Sequence, residues 1–264
     1  MFEEIIKRLK KIEKENDITI LYACESGSRA WGFDNDESDW DVRFIYRMNN
    51  SQEYLTLSDT TEVIEYMEDK LDFIGWDVKK ALKLHYSNNP NLREWLLSPI
   101  KYIEWQDNIF KGLPDFDKAT LKFHYTNIAS NNWKKLGQDD LDLTKRVIKM
   151  FMYNCRCVLT WIVLDEGGNP SINIFELLKE VNGVENNVKN DINTLITNYK
   201  FHSQDNVDLE VIDNIKQWME PNLKVMKHYF PKKRDSKDLK EYSQRFFDII
   251  FPDYDDYLKW VDEN

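Results

Sequence analysis

The chain changes its periodicity once, at about Leu113, and that change limits the architectures open to it. Before this point, short apolar runs of strand length alternate with helix-like stretches. Beyond it, apolar residues recur at helical spacing and strand signals are few. The pattern predicts an α/β front half over residues 1–112 and a helical domain over residues 113–264.

The local signals are specific enough to place elements. Phe2, Ile5, Ile6, Leu9 and Ile12 form one face of an amphipathic first helix. The run from Ile18 to Ala23 reads as a buried strand, and Trp40 to Arg47 as the next. Between them, Glu25 to Ser38 reads as a loop with one helical turn. Glu62 to Met67 and Leu71 to Gly75 are two further strands. Asp77 is placed to cap a helix over Val78 to Tyr86, and another runs from about Leu92 to before Pro99. The back half predicts helices over Asp117–Leu136, Asp142–Leu164, Asn173–Val181, Val188–Tyr199 and Leu209–His228, the last broken or kinked at Pro221. A charged loop at Pro231–Lys240 then leads into a final aromatic-rich helix ending near Ile250.

Composition narrows the class. The 264 residues are 42% hydrophobic, enough for a packed core. The formal net charge of −11 works against tight non-specific binding of long nucleic acids and favours a small or structured substrate. Cys24, Cys155 and Cys157 are odd in number and carry neither disulfide-framework nor zinc spacing, so they read as buried thiols. The first residues lack the apolar core of a signal peptide, and no run approaches eighteen apolar residues. A cytoplasmic protein with no membrane partner is expected.

The chemistry is carried by Gly27-Ser28 and, ten residues on, Asp39-Trp40-Asp41. Carboxylates two apart on a strand share a face. Crowding them is costly without a cation, and their hard oxygens suit Mg²⁺, or Mn²⁺ in its place. Gly27 permits close backbone approach, and Ser28 offers a hydroxyl and an N–H to phosphate. Arg29 lies beside that turn and reads equally as a phosphate contact or a surface ion pair.

The string GSRAWGFDNDESDWDVRFIY resembles the active-site signature of DNA polymerase β superfamily nucleotidyltransferases. More narrowly, it is similar to the RNA-repair and RNA-ligase-associated (YcgL-like) family. DFIGWDVKKALKLHYSNNPNLREWLLSP, residues 72–99, is a second match, and Lys149, Tyr153 and Arg156 form a weaker third. The resemblance implies an α+β fold with an N-terminal polymerase β-like mixed sheet. It also implies transfer of a nucleoside monophosphate from an NTP to an acceptor hydroxyl, with release of pyrophosphate. Two cations about 4 Å apart would serve such a reaction. Asp39 and Asp41 would hold them, Gly27 and Ser28 would hold the β and γ phosphates, and a third carboxylate would complete the site. Asp72, between Leu71 and Phe73, fits that third position best; Asp77 is the alternative, with Glu62 and Glu65 behind both.

Other residues carry weaker signals. Arg43 shares the carboxylate face and reads as an ion-pair or phosphate partner. Lys145, Lys149 and Arg156 are spaced to lie on one helix face, either a solvated stripe or a triphosphate or RNA contact. Lys79 and Lys80 read as solvated. The run Lys232, Lys233, Arg234, Lys237, Lys240 reads as a solvated loop or a dock for RNA or protein. His85, His124, His202 and His228 have no ligand spacing. The family association points to an RNA or tRNA acceptor. The acidic balance leaves open AMP transfer to a protein or small molecule, and a non-catalytic nucleotide-binding module is the third possibility.

Overall fold

A computed structural model of the chain describes residues 1–57, 60–104, 107–136, 145–201, 208–231 and 237–252. The order of elements is α+β: a five-stranded mixed sheet with helices, then a run of helices. The chain forms two compact units. The first comprises Met1–Ser26, Asp39–Asp115 and Asp235–Asn264; the second comprises Gly27–Ser38 and Phe116–Arg234. The compact units are therefore interleaved in sequence and differ from the contiguous stretches 1–112 and 113–264.

In the first unit, α1 (Phe2–Asn16) buries Ile5, Leu9 and Ile12 and ends where Asp17 turns left-handed, φ 52°. The strands are β1 (Ile18–Glu25), β2 (Trp40–Met48), β3 (Val63–Glu68), β4 (Leu71–Asp77) and β5 (Lys101–Glu104), in the spatial order β3-β4-β2-β1-β5. β2 and β4 run parallel while the other pairs are antiparallel. A tight turn through Asp69, φ 49°, reverses the chain from the edge strand β3 into β4; a short polar side chain tolerates that conformation best after glycine.

Alternation divides each strand between two faces. Val42, Phe44 and Tyr46 of β2 and Phe73 of β4 enter a core with Ile5, Leu9 and Ile12. Asp41, Arg43 and Asp72 lie on the other face by parity. Gly75 stands beside Phe44 in the β2–β4 register, where a Cβ would come within 2.1 Å of the phenyl ring, so this pairing requires glycine. Asp77 caps α3 (Val78–Tyr86), its carboxylate accepting from the Lys79 N–H at 2.8 Å. Asn89 caps α4 (Pro90–Leu96), with Pro90 in the first turn where its missing N–H costs nothing. The sequence reading had no counterpart for β5.

The second unit is built on α5 (Lys118–Leu136), α6 (Lys145–Asp165), α7 (Ile174–Glu180), α8 (Asn186–Lys200) and α9 (Leu209–Lys227). Helix α9 is continuous through Pro221, so of the break or kink expected there the break does not occur. Helix α6 is long and apolar enough to cross a membrane, but most of it is buried in this unit's core. The short α2 (Gly27–Trp31) belongs here too, and Phe33 just beyond it enters the same core. The last described helix, α10 (Leu239–Ile250), belongs to the first unit. Lys232, Lys233, Arg234, His202 and Asp142 lie outside the described residues. All three cysteines are buried free thiols.

Candidate active site

The start of β2 is fixed from both sides. The Trp40 N–H donates to the Lys70 carbonyl at 2.7 Å, and the Ser26 N–H donates to the Asp41 carbonyl at 2.8 Å. Asp39 is exposed immediately before the strand, and Asp41, the strand's second residue, is half-buried. The parallel register places Asp41 directly beside Asp72 of β4.

Arg43 joins the two acids. Its Nη2 donates to Asp41 Oδ1 at 2.9 Å and to Asp72 Oδ2 at 2.8 Å, and its Nη1 donates to the Asp72 carbonyl at 2.9 Å. One guanidinium therefore holds two carboxylates that would otherwise repel, in a charge-assisted arrangement. Among the described residues, no three His, Cys, Asp or Glu side chains are grouped so as to hold a metal by themselves.

Asp77 has different surroundings. It lies five positions after Asp72 on the same strand, an odd offset, so the two point to opposite faces. It is buried, caps α3 and accepts from the Tyr54 hydroxyl at 2.6 Å. Burial pushes its carboxyl above the ordinary range, against the hydrogen bonds from Tyr54 and the α3 backbone. Glu62 pairs with Lys80 and Lys83 at 3.2 and 3.5 Å, and Glu65 is exposed on the edge strand β3.

Glu25 was not singled out from the sequence. It is fully buried at the end of β1, where its carboxylate accepts from the Asp41 N–H at 2.9 Å and the Tyr102 hydroxyl at 2.6 Å. The Ser98 hydroxyl donates to its carbonyl at 2.6 Å. Its sequence signal is an acid closing an apolar run just before Gly-Ser; its partners come from residues far along the chain.

Gly27, Ser28 and Arg29 sit in the second unit. Gly27 has φ 60°, which glycine adopts at least cost. Ser28 is buried, and its carbonyl accepts from the N–H groups of Gly32 and Phe33. Arg29 is bonded within its own loop, to the Ser38 carbonyl at 2.8 Å and to Asp34 at 3.5 Å. Lys200 also reaches Asp34, at 3.2 Å.

Lys149 and Arg156 do not share a solvated stripe. Lys149 is exposed, whereas Arg156 is fully buried with its guanidinium 4.4 Å from the Trp31 ring centroid and 5.0 Å from that of Tyr153. At this level α6 is enclosed by core on most sides, so a position seven residues along is not solvated. Arg156 thus anchors α2 through Trp31. Of the histidines, His85 is buried against Tyr242, and His228 bonds the Lys224 carbonyl.

The family model described as "RNA repair pathway DNA polymerase beta family" matches residues 1–248. A Bacillus subtilis (strain 168) protein described as "Uncharacterized protein YcgL" is 34% identical over 247 residues, covering 90% of this chain and 92% of the relative. The crystal structure of a nucleotidyltransferase-like protein from Exiguobacterium sibiricum 255-15 overlaps 84% of this chain and 74% of its own, with 14% identity and a TM-score of 0.32. The family match spans nearly the whole chain, and the chain belongs to the RNA repair pathway DNA polymerase beta family.

Proposed function

We propose that the protein is a metal-dependent nucleotidyltransferase that moves a nucleoside monophosphate from an NTP to a hydroxyl of RNA, releasing pyrophosphate. The observation that carries this is the pairing of Asp41 with Asp72 on parallel strands, two residues past Asp39 and downstream of Gly27-Ser28. The pairing supports Asp72 over Asp77 as third carboxylate, because Asp77 faces the other way and is occupied as a helix cap.

The hard carboxylate oxygens of Asp39, Asp41 and Asp72 are the chemistry that Mg²⁺ or Mn²⁺ takes, with water and phosphate oxygens as further ligands; a cation held there would take the place of the Arg43 guanidinium, which now bonds Asp41 and Asp72. Such ions neutralise the triphosphate and activate the attacking hydroxyl. Asp39 and Asp41 would hold such ions. Asp72 would complete the set and take the proton from the acceptor hydroxyl. The hydroxyl oxygen bonds to the α-phosphorus as the bond to the bridging oxygen breaks, and pyrophosphate leaves. The family resemblance, and not the geometry, assigns the β and γ phosphates to Gly27 and Ser28. Glu25 orients Asp41 through its backbone N–H, and Arg43 keeps Asp41 and Asp72 in register. Most of the rate then comes from positioning and charge neutralisation.

The test is pyrophosphate release with each of the four NTPs, Mg²⁺ and total cellular RNA, for wild type and Asp41→Asn. RNA-dependent release that disappears in the variant is expected. A net charge of −11 favours one rival, AMP transfer to a protein or small molecule. Release that depends on a protein extract or a polyamine-like acceptor instead of RNA would establish that rival. No release with any acceptor would leave a nucleotide-binding module.

A further inference from the structure

In the first unit, α3 and α10 pack side by side and leave an apolar cavity of about 210 Å³ between them. Leu82 and Tyr86 of α3 and Leu239, Tyr242 and Phe246 of α10 wall it. Tyr86 and Tyr242 meet edge to face, with centroids 5.3 Å apart. Lys79 and Lys83, one turn apart on α3, are exposed at its rim, and the Lys79 ammonium lies 5.9 Å from the Phe246 ring centroid. The same two lysines also line a second, polar cavity of about 450 Å³ with Glu53, Tyr54, Thr56, Thr60 and Glu62, where Lys83 pairs with Glu62 at 3.5 Å and Lys79 is the one of the two beside the aromatic wall. Lys237 extends the positive side, bonded to the Tyr242 hydroxyl at 3.1 Å.

An aromatic-walled slot beside lysines suits a ligand that couples a flat apolar ring to a phosphate. Base–aromatic stacking with a basic rim is how single-stranded nucleic acid is held without sequence readout. Position agrees with this. The carboxylates lie at the start of β2 and β4, and α3 begins beyond the far end of β4. Asp72 and Asp77 are separated by five residues of strand, about 16 Å. A nucleotide held at α3 is therefore not the one that reacts.

We propose that the groove between α3 and α10 binds an unpaired interior nucleotide of a single-stranded RNA acceptor, its base in the apolar slot and its phosphate on Lys79 and Lys83. The proposal rests on the RNA-acceptor reading and narrows it: the acceptor end carries a single-stranded extension of several nucleotides.

The experiment measures binding of a fluorescein-labelled, unstructured RNA dodecamer by anisotropy, without NTP and at several salt concentrations. The proteins are wild type, Ser243→Trp and Lys83→Ala. Ser243 is exposed on the cavity wall, so the indole fills the slot; Lys83 is exposed, and its loss removes only a surface ion pair with Glu62, which keeps Lys80. Ser243→Trp should weaken binding about tenfold. Lys83→Ala should lower the slope of log affinity against log salt by about 0.7. In turnover, both should raise KM for RNA and leave kcat unchanged. Melting curves check folding; if Ser243→Trp does not fold, the double variant Lys79→Ala with Lys83→Ala carries the test. RNA bound equally well by wild type and folded variants overturns the groove and leaves the RNA acceptor standing. No RNA binding by wild type, together with protein-dependent turnover, overturns both. Competition by AMP alone as effective as the dodecamer assigns the groove to a free nucleotide, and capture of an acidic aromatic peptide in place of RNA assigns it to a protein; either overturns the proposal.

Discussion

At the scale of single residues, the sequence carried the acids but not their partners. Asp39 and Asp41 were legible because a two-residue spacing on a strand is a geometric statement. Their relation to Asp72 depends on parallel pairing across thirty-one residues, which no local pattern encodes. Glu25 and Arg156 show the same limit, since the burial of each is decided by residues far along the chain, Tyr102 for one and Trp31 for the other. The assignment of Asp72 over Asp77 is testable. Asp72→Asn should reduce pyrophosphate release at least about a hundredfold, the scale of losing metal-linked charge stabilisation. Asp77→Asn should preserve turnover, because an amide oxygen still accepts from Lys79 and Tyr54. The raised carboxyl of Asp77 also fixes a sign. Its contribution to stability is complete below its unfolded value and is lost as pH rises through the folded one. Wild type should therefore gain on Asp77→Asn as pH falls, in denaturant melts across the acid range. If Asp77→Asn abolishes turnover and Asp72→Asn spares it, the assignment reverses. Arg43 gives a second test. Arg43→Met leaves two carboxylates facing each other and should cost about 1–3 kcal/mol. Mg²⁺ should restore more of the melting temperature in this variant than in wild type; equal shifts would show that no ion takes the place of the guanidinium.

At the scale of elements, helices and strands with long periodic signals were readable, and those defined by remote pairing were not. The first helix, the strands at Ile18, Trp40 and Leu71, and the helix capped by Asp77 all carry their own alternation or cap. β5 is only four residues long, just beyond Pro99, and pairs with a β1 edge that lies 77 to 82 residues earlier. The basic segment before α10 read as a loop, yet α10 itself packs on α3 through side chains that the sequence did not connect. His85 of α3 accepts or donates at 2.8 Å to the Tyr242 hydroxyl of α10 and stacks on Phe110, with centroids 4.6 Å apart. Burial, aided by the Lys237 charge, pulls its pKa down to about 4. A base whose folded pKa is depressed leaves the unfolded chain binding the extra proton between the two values, so stability falls as pH drops from about 6.5 towards 4. The loss can reach about 3 kcal/mol. His85→Gln, which keeps a hydrogen-bonding group without a titration, should flatten urea-melt stability over that window. An unchanged slope in the variant would mean that His85 is not the group that couples α3 and α10 to pH.

At the scale of the whole molecule, the charge sets how an RNA acceptor can be held. The −11 balance repels a polyanion at long range, so steering cannot bring it in. Attraction has to come from a few cations close to the strand, and the groove on α3 offers Lys79 and Lys83. Each phosphate neutralised on a single strand contributes about 0.7 to the salt slope. Two such contacts give a slope of about −1.4, far shallower than that of a basic protein that wraps nucleic acid. The repulsion acts in the opposite sense, since added salt screens it within about 10 Å at 0.1 M. Association rates with RNA should therefore hold steady or rise between low and moderate salt, while dissociation quickens. Stopped-flow anisotropy with a labelled single strand separates the two. An association rate that falls steeply with salt, with an equilibrium slope near −5, would require a basic surface larger than this groove and would move the acceptor elsewhere on the chain.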